Sequence, residues 1–320
     1  MAELAIVIAP GSEPYATLGD LAREAEDAGF SGIFVSESSN DALMCCAHMA
    51  LVTRRIKLVT WIVNIHFRVP LTCAAASMMV QELSNGRFIL GLGVSHRPAL
   101  EARGIDMGNA RDRLRRDTTV IRATFNGETS MFGMKFRQPA KPIPIYYAAL
   151  ALETARLGGE LADGLMLYLC TPERMRKSID VAHDAAKQHG RKPSQVVATV
   201  GLPVFLHDDL KVAYSAAQRG LSFYGALPFY NRLIARSGFE SAANALMAAA
   251  KRGDANAMAA AVTEPMIDSL ALVGPESRCA ERLEQYRKHG AELPILVPNA
   301  VNEDYSAAVR RIVKSFAKLN

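Results

Sequence analysis

Short apolar runs alternate with segments of helical periodicity along most of the chain. The runs that read as buried strands occupy residues 4–10, 31–35, 56–63, 88–94, 144–149, 164–169, 196–206 and 294–297. Helical spacing, or helix start and stop residues, marks residues 18–28, 42–52, 70–83, 111–125, 153–161, 172–190, 277–289 and 302–318. Strands that alternate with helices in this way predict an α/β fold, a (β/α)8 TIM barrel in a single domain over residues 1–320.

A doubly wound sheet is the alternative fold for such an alternation. A dinucleotide-binding sheet would carry Gly-x-Gly-x-x-Gly after its first strand. Here Pro10-Gly11-Ser12-Glu13 follows the first strand, and the later pair Gly91 and Gly93 has His96 at the position of the third glycine. The barrel is therefore favoured.

Two insertions stretch the eightfold pattern. Residues 126–142 form a polar, hairpin-like insertion, and residues 209–272, between the seventh and eighth strands, are too long for a plain connection. The second insertion contains an aromatic run at residues 223–230, FYGALPFY. This run could cover the substrate as a lid, pack between the inserted helices or form a subunit interface, so a homodimer is one expectation.

The charge pattern argues against a nucleic-acid partner. The chain carries 37 Lys and Arg against 32 Asp and Glu, and these residues are scattered. The densest basic cluster, residues 111–116, contains Asp112 and no interleaved aromatic residue, which predicts the solvated start of a helix. No apolar stretch approaches the ~20 residues of a membrane span, and the amino terminus lacks the pattern of a signal peptide. We expect a small-molecule substrate as the partner.

The cysteines indicate a reducing compartment. There are five, Cys45, Cys46, Cys73, Cys170 and Cys279, an odd number without the spacing of metal ligands. The adjacent Cys45 and Cys46 lie within an apolar helical pattern and are predicted to be small buried side chains. We therefore expect a cytoplasmic protein without a bound metal.

The exit of the fourth strand is the strongest candidate for chemistry. Gly91 and Gly93 weaken the strand and indicate a place where another group approaches the backbone closely. Ser95, His96 and Arg97 follow at the carboxyl end, which in a barrel forms the catalytic face. The other residues at such ends are Ser36, Glu37, Thr60, Trp61, Asn64, Ala148, Ala149, Leu150, Ala151, Tyr168, Leu169 and Cys170.

This set of residues excludes several kinds of active site. It holds one carboxylate, one imidazole and several hydroxyl or amide groups, and it lacks a Ser-His-Asp set and a close pair of carboxylates. His48 and His66 are isolated from carboxylates in sequence, which argues against a metal hydrolase. Small residues with backbone and amide donors favour a flat heterocyclic ligand.

Several motifs carry a resemblance to a known superfamily. Residues 57–70 (KLVTWIVNIHFRVP), 83–88 (LSNGRF) and 90–93 (LGLG), with 274–277 (GPES) and 280–283 (AERL), resemble the bacterial luciferase-like flavin and deazaflavin oxidoreductases. The likeness covers nearly the whole chain, and residues 91–96 are most similar to the branch that uses coenzyme F-420, a deazaflavin. The resemblance implies an oxidoreductase that transfers a hydride between reduced coenzyme F-420 and an organic substrate.

The resemblance also implies site residues. The third strand bulges under the ring, with a non-prolyl cis peptide at Trp61–Ile62 or one bond earlier. The acidic residue after the second strand is Glu37, followed by Ser38 where a His is common, and Glu37 or His96 would be the catalytic residue that handles the proton. Phosphate contacts fall on residues 149–152, without the usual glycines. The implied cofactor-binding set is Ser36, Thr60, Trp61, Ile62, Asn64, Gly93, Ser95, Ala148, Ala149, Leu150, Ala151, Leu169 and Cys170.

Other interpretations stay open at the level of sequence. The same fold could serve an FMN-dependent monooxygenase that receives reduced flavin from a separate reductase, or a non-catalytic barrel that binds a cofactor. Among single residues, Trp61 could be packing between strand and helix, and Asn64 could cap the turn that follows it. Glu37 could pair with a neighbouring Arg, and His96 could be structural.

Overall fold

The computed structural model describes residues 3–10 and 14–317. Its strands are short and mostly buried, as expected from the apolar runs that form them. They are β1 (Ala5–Val7), β2 (Gly32–Val35), β3 (Lys57–Thr60), β4 (Val63–Asn64), β5 (Phe88–Gly93), β6 (Ser130–Met131), β7 (Met134–Lys135), β8 (Ile145–Ala148), β9 (Gly164–Tyr168), β10 (Val197–Leu206), β11 (Leu272–Gly274) and β12 (Leu293–Pro298).

The helices begin at capping side chains in several places. Asp41, Asn109, Asp209 and Asp304 accept hydrogen bonds from backbone N–H groups of the first helical turn. The helices are α1 (Ala16–Asp27), α2 (Ala42–Val52), α3 (Pro70–Leu83), α4 (Arg97–Glu101), α5 (Ala110–Phe125), α6 (Leu152–Leu161), α7 (Pro172–Gln188), α8 (Leu210–Gly225), α9 (Pro228–Ile234), α10 (Glu240–Lys251), α11 (Ala255–Ala260), α12 (Glu264–Leu270), α13 (Glu276–Lys288) and α14 (Tyr305–Phe316).

The strand order confirms the predicted TIM barrel. One sheet has the order β11-β10-β12-β1-β2-β3-β5-β8-β9, with β4 beside β5 and a further pairing of β9 with β10. The neighbouring strands are parallel, for example Val35 opposite Thr60 and Leu90 opposite Ile145. Parallel strands with helices between them are the (β/α)8 pattern.

The chain divides into two compact units. One holds the residues up to Ile6, Leu167–Asp180 and the residues from Ala198 onward, and it contains the inserted helices α8 to α12. The other holds Val7–Met166 and Val181–Val197, with β2 to β8 and most of the candidate site. That the chain is a single domain over residues 1–320 stays a prediction.

The structure refines the predicted elements. The third predicted strand is interrupted at residues 61–62 and continues as β4, and the polar exit after β5 contains the short helix α4. The insertion at 126–142 contains the antiparallel hairpin β6–β7, as predicted. The predicted helix at 302–318 is α14, which is shorter at both ends, and residues 11–13 and 318 lie outside the described residues.

The cysteines have the burial that the sequence predicts. All five cysteines are buried free thiols, including the adjacent Cys45 and Cys46. No group of His, Cys, Asp or Glu suited to a metal ion occurs among the described residues. In the same part of the chain, no helix has the length and apolar character needed to cross a bilayer.

Candidate active site

Thr60 and Gly91 join the neighbouring strands β3 and β5 by side-chain contacts. The Thr60 hydroxyl donates to the carbonyl of Gly91 at 3.0 Å and accepts from the Gly91 N–H at 2.8 Å. A Cβ atom on Gly91 would collide with the carbonyl oxygen of Thr60. The close approach predicted at Gly91 is therefore that of the adjacent strand, and the fully buried Thr60 hydroxyl is used within the sheet.

Residues 61–64, which we call the bulge segment, leave β3 and return to the sheet beside β5. The Trp61–Ile62 peptide bond is cis, which confirms the first of the two predicted positions. The Trp61 N–H donates to the carbonyl of Val35 at 2.6 Å, and β4 then pairs with β5 with Asn64 opposite Gly93. Trp61 and Ile62 stay half-buried, so both side chains are partly accessible.

Asn64 is buried, and its polar groups bind other parts of the protein. Its backbone N–H donates to Oε2 of Glu37 at 2.9 Å, and its Oδ1 accepts from the N–H of His66 at 3.0 Å. The side-chain oxygen thus caps the following turn, as the alternative interpretation of Asn64 proposed.

Glu37 is held in an ion pair. Its Oε1 accepts from Nη2 of Arg68 at 2.6 Å, and the same guanidinium lies 2.9 Å from Oδ2 of Asp41. Burial lowers the pKa of Arg68, but the hydrogen bonds to Glu37 and Asp41 outweigh it, so the pKa lies above its usual value. The sequence-based alternative of a pairing with a neighbouring Arg is thus what the structure has.

Ser95 and His96 follow the carboxyl end of β5. Ser95 has a φ of 61°, in the left-handed region that non-glycine residues adopt at a cost of about 1–2 kcal/mol. His96 precedes α4 and is half-buried. Burial lowers the pKa of the His96 imidazole below its ordinary value, so the ring is neutral at pH 7. A neutral imidazole can accept a proton at one nitrogen and donate a hydrogen bond from the other.

The loop after β8 carries the residues expected to contact a phosphate. Ala148, Leu150 and Ala151 are half-buried, whereas Ala149 is buried and its N–H donates to the carbonyl of Met166 at 3.1 Å. Ala151 precedes α6 and provides no side-chain cap. The first N–H groups of α6 therefore lack a capping side chain, and a helix start of this kind favours an anion.

Leu169 and Cys170 belong to the other compact unit, at the carboxyl end of β9. Both are buried, and Leu169 has a φ of 49°. Burial raises the pKa of the Cys170 thiol to about 12, which makes it unreactive at neutral pH. The carbonyl of Cys170 accepts from the Tyr286 hydroxyl at 2.9 Å.

The aromatic run of the second insertion packs within that unit. Tyr224 on α8 and Tyr230 on α9 lie edge to face with ring centroids 5.2 Å apart, and Tyr168 at the end of β9 lies 5.3 Å from Tyr224 and 5.9 Å from Tyr230. Packing between the inserted helices, one of the three interpretations of this run, is therefore observed. Phe223 remains exposed.

The comparisons with known proteins decide the family. The model of the luciferase-like monooxygenase family matches residues 3–293. The chain belongs to this family. The resemblance seen in the sequence motifs is thereby confirmed.

Relatives with known names cover nearly the whole of this luciferase-like chain. It is 27% identical over 315 residues to the 5,10-methylenetetrahydromethanopterin reductase of Methanolobus tindarius. The aligned region covers 95% of this chain and 96% of the relative. The coenzyme F-420-dependent tetrahydromethanopterin reductase of Methanopyrus kandleri has a similar structure, with a TM-score of 0.83, 19% identity and 98% of both chains covered.

A flavin enzyme shares the fold as well. The oxygenating constituent of 3,6-diketocamphane monooxygenase from the CAM plasmid of Pseudomonas putida, a type II Baeyer–Villiger monooxygenase in complex with FMN, has a TM-score of 0.70 and 18% identity. The comparison covers 99% of this chain and 97% of that structure. At this identity, the likeness shows the fold alone.

Two polar residues of the site were not singled out from the sequence. Arg68 pairs with Glu37. In the sequence, Arg68 could have been noticed as a single cation between two apolar residues, four positions after the bulge segment. His66 is buried, and neither ring nitrogen has a hydrogen-bond partner. Burial and the nearby charge of Arg113 lower the pKa of His66, so this ring is neutral at pH 7.

Proposed function

We propose that this luciferase-like protein is an oxidoreductase that transfers a hydride between coenzyme F-420 and a small organic substrate. The observation that carries the proposal is the bulge segment. Its Trp61 and Ile62 stay partly accessible, and the segment pairs with β5 beside Gly93, two residues before Ser95 and His96. A Cβ atom on Gly93 would lie 2.5 Å from Cγ1 of Ile62, so the bulge can lie there only over a glycine.

The residues that would hold the cofactor fall into two groups. Trp61, Ile62, Gly93 and Ser95 would contact the flat ring, with Asn64 and Thr60 holding the backbone beneath it. Ser36, Ala148, Ala149, Leu150 and Ala151 would bind the polar side chain of the cofactor, and the α6 start suits its phosphate. Leu169 and Cys170 stay predicted cofactor contacts. When bound, the deazaflavin supplies a hydride from the ring carbon that replaces the reactive flavin nitrogen.

We assign the compensating proton to His96. Its imidazole is neutral at pH 7 and half-buried, which suits a group that exchanges a proton with a substrate. Glu37, the other predicted catalytic residue, accepts hydrogen bonds at both carboxylate oxygens, from Arg68 and from the backbone of Asn64. Both carboxylate oxygens of Glu37 are thus occupied by partners within the protein, so we do not assign the proton to this residue.

An FMN-dependent monooxygenase is the second candidate, because the FMN-bound enzyme described above shares the fold over nearly the whole chain. The anionic tail of coenzyme F-420 distinguishes the two. The exposed Arg111 and Arg156 line a pocket beside α6 together with Arg115 and the acidic Asp112, Glu153 and Glu160, and in our proposal these two arginines attract the tail. Screening by salt should therefore weaken the binding of coenzyme F-420.

Binding of the two cofactors tests the proposal directly. We expect purified protein to bind coenzyme F-420 more tightly than FMN in fluorescence titrations. The affinity for coenzyme F-420 should fall between 50 and 500 mM salt, because the Debye length is ~10 Å at 0.1 M and shortens as salt is added. Equal or tighter binding of FMN would reject the deazaflavin assignment and favour the monooxygenase.

A second copy of this chain is the partner that we propose. Helix α2 contains no charged residue, yet Met44 and Leu51 on its outer face are each 68% exposed, and Met79 on the adjacent α3 is 63% exposed. A helix that is apolar on all sides is normally buried. Because the α2 face offers no charge to select a different partner, the same face of a second copy would cover it in a symmetric homodimer. The cytoplasmic location stays a prediction.

A further inference from the structure

Two loops at the carboxyl ends of the strands are joined by one guanidinium. Arg68 lies between β4 and α3, and it contacts Glu37 after β2 and Asp41 at the start of α2. The Glu37 side chain is 6% exposed and that of Arg68 is 22% exposed, so the pair is largely shielded from water. A shielded pair of this kind holds its loops in one arrangement, because separating the charges would leave each of them buried and unpaired.

The bulge segment is attached to β2 and its loop at both ends. At the start, the Trp61 N–H donates to the carbonyl of Val35. At the end, the Asn64 N–H donates to Oε2 of Glu37 at 2.9 Å. On the opposite side, the Ile65 N–H donates to the carbonyl of Gly93 at 3.1 Å. The position of Trp61 and Ile62 therefore depends on where the Glu37 carboxylate is held.

We infer that Glu37 and Arg68 are a positioning pair that sets the bulge segment at the height where the cofactor ring would lie. Glu37 acts through the backbone of Asn64, and Arg68 acts by fixing the Glu37 carboxylate. The inference rests on the proposed function and changes the predicted role of Glu37 from proton transfer to placement of the ring-binding backbone.

The chain offers a matched control at the other end of the same strand. Glu26 is also a buried carboxylate, and it accepts hydrogen bonds from the N–H groups of Arg54, Arg55 and Ile56, which lead into β3. Burial raises the pKa of Glu26, but these backbone hydrogen bonds together lower it by more, so its pKa is below the ordinary value. Glu26→Gln therefore removes a comparable carboxylate without touching the bulge segment.

The only tryptophan of the chain, Trp61, reports on the bulge segment without any cofactor. The experiment compares wild type with Glu37→Gln, Arg68→Lys, the double variant and Glu26→Gln. Acrylamide quenching of Trp61 fluorescence is measured in the cofactor-free protein, and the Kd for coenzyme F-420 is measured by titration. Melting temperatures identify any variant that does not fold. Arg68→Lys keeps the positive charge, so this variant still tests the inference if Glu37→Gln does not fold.

We expect Glu37→Gln and Arg68→Lys each to increase Trp61 quenching and to raise the Kd for coenzyme F-420 about tenfold, or ~1.4 kcal/mol. The Kd of the double variant should be no higher than that of the weaker-binding single variant, because the two residues act as one unit. Glu26→Gln should lower the melting temperature and leave both readouts unchanged.

Wild-type quenching and Kd in both Glu37→Gln and Arg68→Lys would overturn the inference and return Glu37 to a role in proton transfer. Changes of the same size in Glu26→Gln would overturn it too, since they would show a general loss of stability. If the wild type does not bind coenzyme F-420, the proposed function fails, whereas the quenching data still decide whether the pair positions the bulge segment.

Discussion

The Cβ position of Gly93 lies 2.5 Å from Cγ1 and 2.7 Å from Cδ1 of Ile62. Real Cβ atoms do not come this close to another carbon atom, so any larger residue at position 93 must displace Ile62. The glycine on β5 and the bulge segment on the neighbouring strand therefore require each other. Gly91 has the same relation to the backbone of Thr60.

Gly93→Ala should displace the bulge segment without unfolding the barrel. The added methyl group overpacks a buried site and should cost about 1–3 kcal/mol in the free energy of unfolding. We expect altered Trp61 fluorescence and weaker binding of coenzyme F-420. Gly19→Ala is the control, because its Cβ would come closest to the end of the His48 side chain, at 3.0 Å, and would otherwise make only an ordinary contact with Val52 at 3.4 Å. Unchanged fluorescence and binding in Gly93→Ala would refute this relation.

His96→Ala should separate turnover from binding. If the imidazole exchanges the proton, turnover with an accepted substrate should fall by ~10² to 10⁴. The Kd for coenzyme F-420 should stay within about tenfold of wild type. His189→Ala is the control, at a more exposed ring just after α7 that hydrogen-bonds the carbonyl of Ala185. An early melting transition with full activity per folded molecule would instead make His96 structural.

His66 should make the fold sensitive to acid. Its folded-state pKa lies below its unfolded value of about 6.5, so the unfolded chain binds a proton first as the pH falls. The free energy of unfolding should therefore decrease below pH ~6.5 until the folded-state pKa is reached.

His66→Leu should reduce this pH dependence. The variant also removes two buried nitrogens without hydrogen bonds, so it should raise the free energy of unfolding at pH 6 by about 1 kcal/mol. Chemical denaturation at pH 5, 6, 7 and 8 measures both effects. An identical pH slope in the two proteins would mean that other groups cause the acid sensitivity.

Met44→Glu combined with Leu51→Glu should convert the proposed homodimer into a monomer. The two charges would repel their symmetry mates and would be costly to bury. Light scattering during size-exclusion chromatography gives the mass. Phe223→Glu, which changes an equally prominent exposed side chain of the aromatic run, should leave the dimer intact. A monomeric wild type, or dissociation by Phe223→Glu alone, would contradict the assignment to α2.

The sequence by itself determined the eight strands, most of the helices and the barrel. These elements have local causes, because apolar runs and helical periodicity predict which face of a segment is buried without knowledge of what packs against it. The inserted helices α8 to α12 were not resolved from the sequence. In α10, alanine occupies buried positions (Ala243, Ala249) and exposed ones (Ala245, Ala248) alike, so residue type does not mark which face is buried.

The roles of individual site residues were decided only by the tertiary structure. The motif around residues 57–70 located the bulge segment, but the sequence could not state that the Thr60 hydroxyl binds Gly91 or that Glu37 meets Arg68. Those partners are 31 residues apart, and no periodicity relates them. Their contact arises because parallel packing of β2, β3 and β5 brings distant carboxyl ends to one edge, where burial forces each polar group to find a partner.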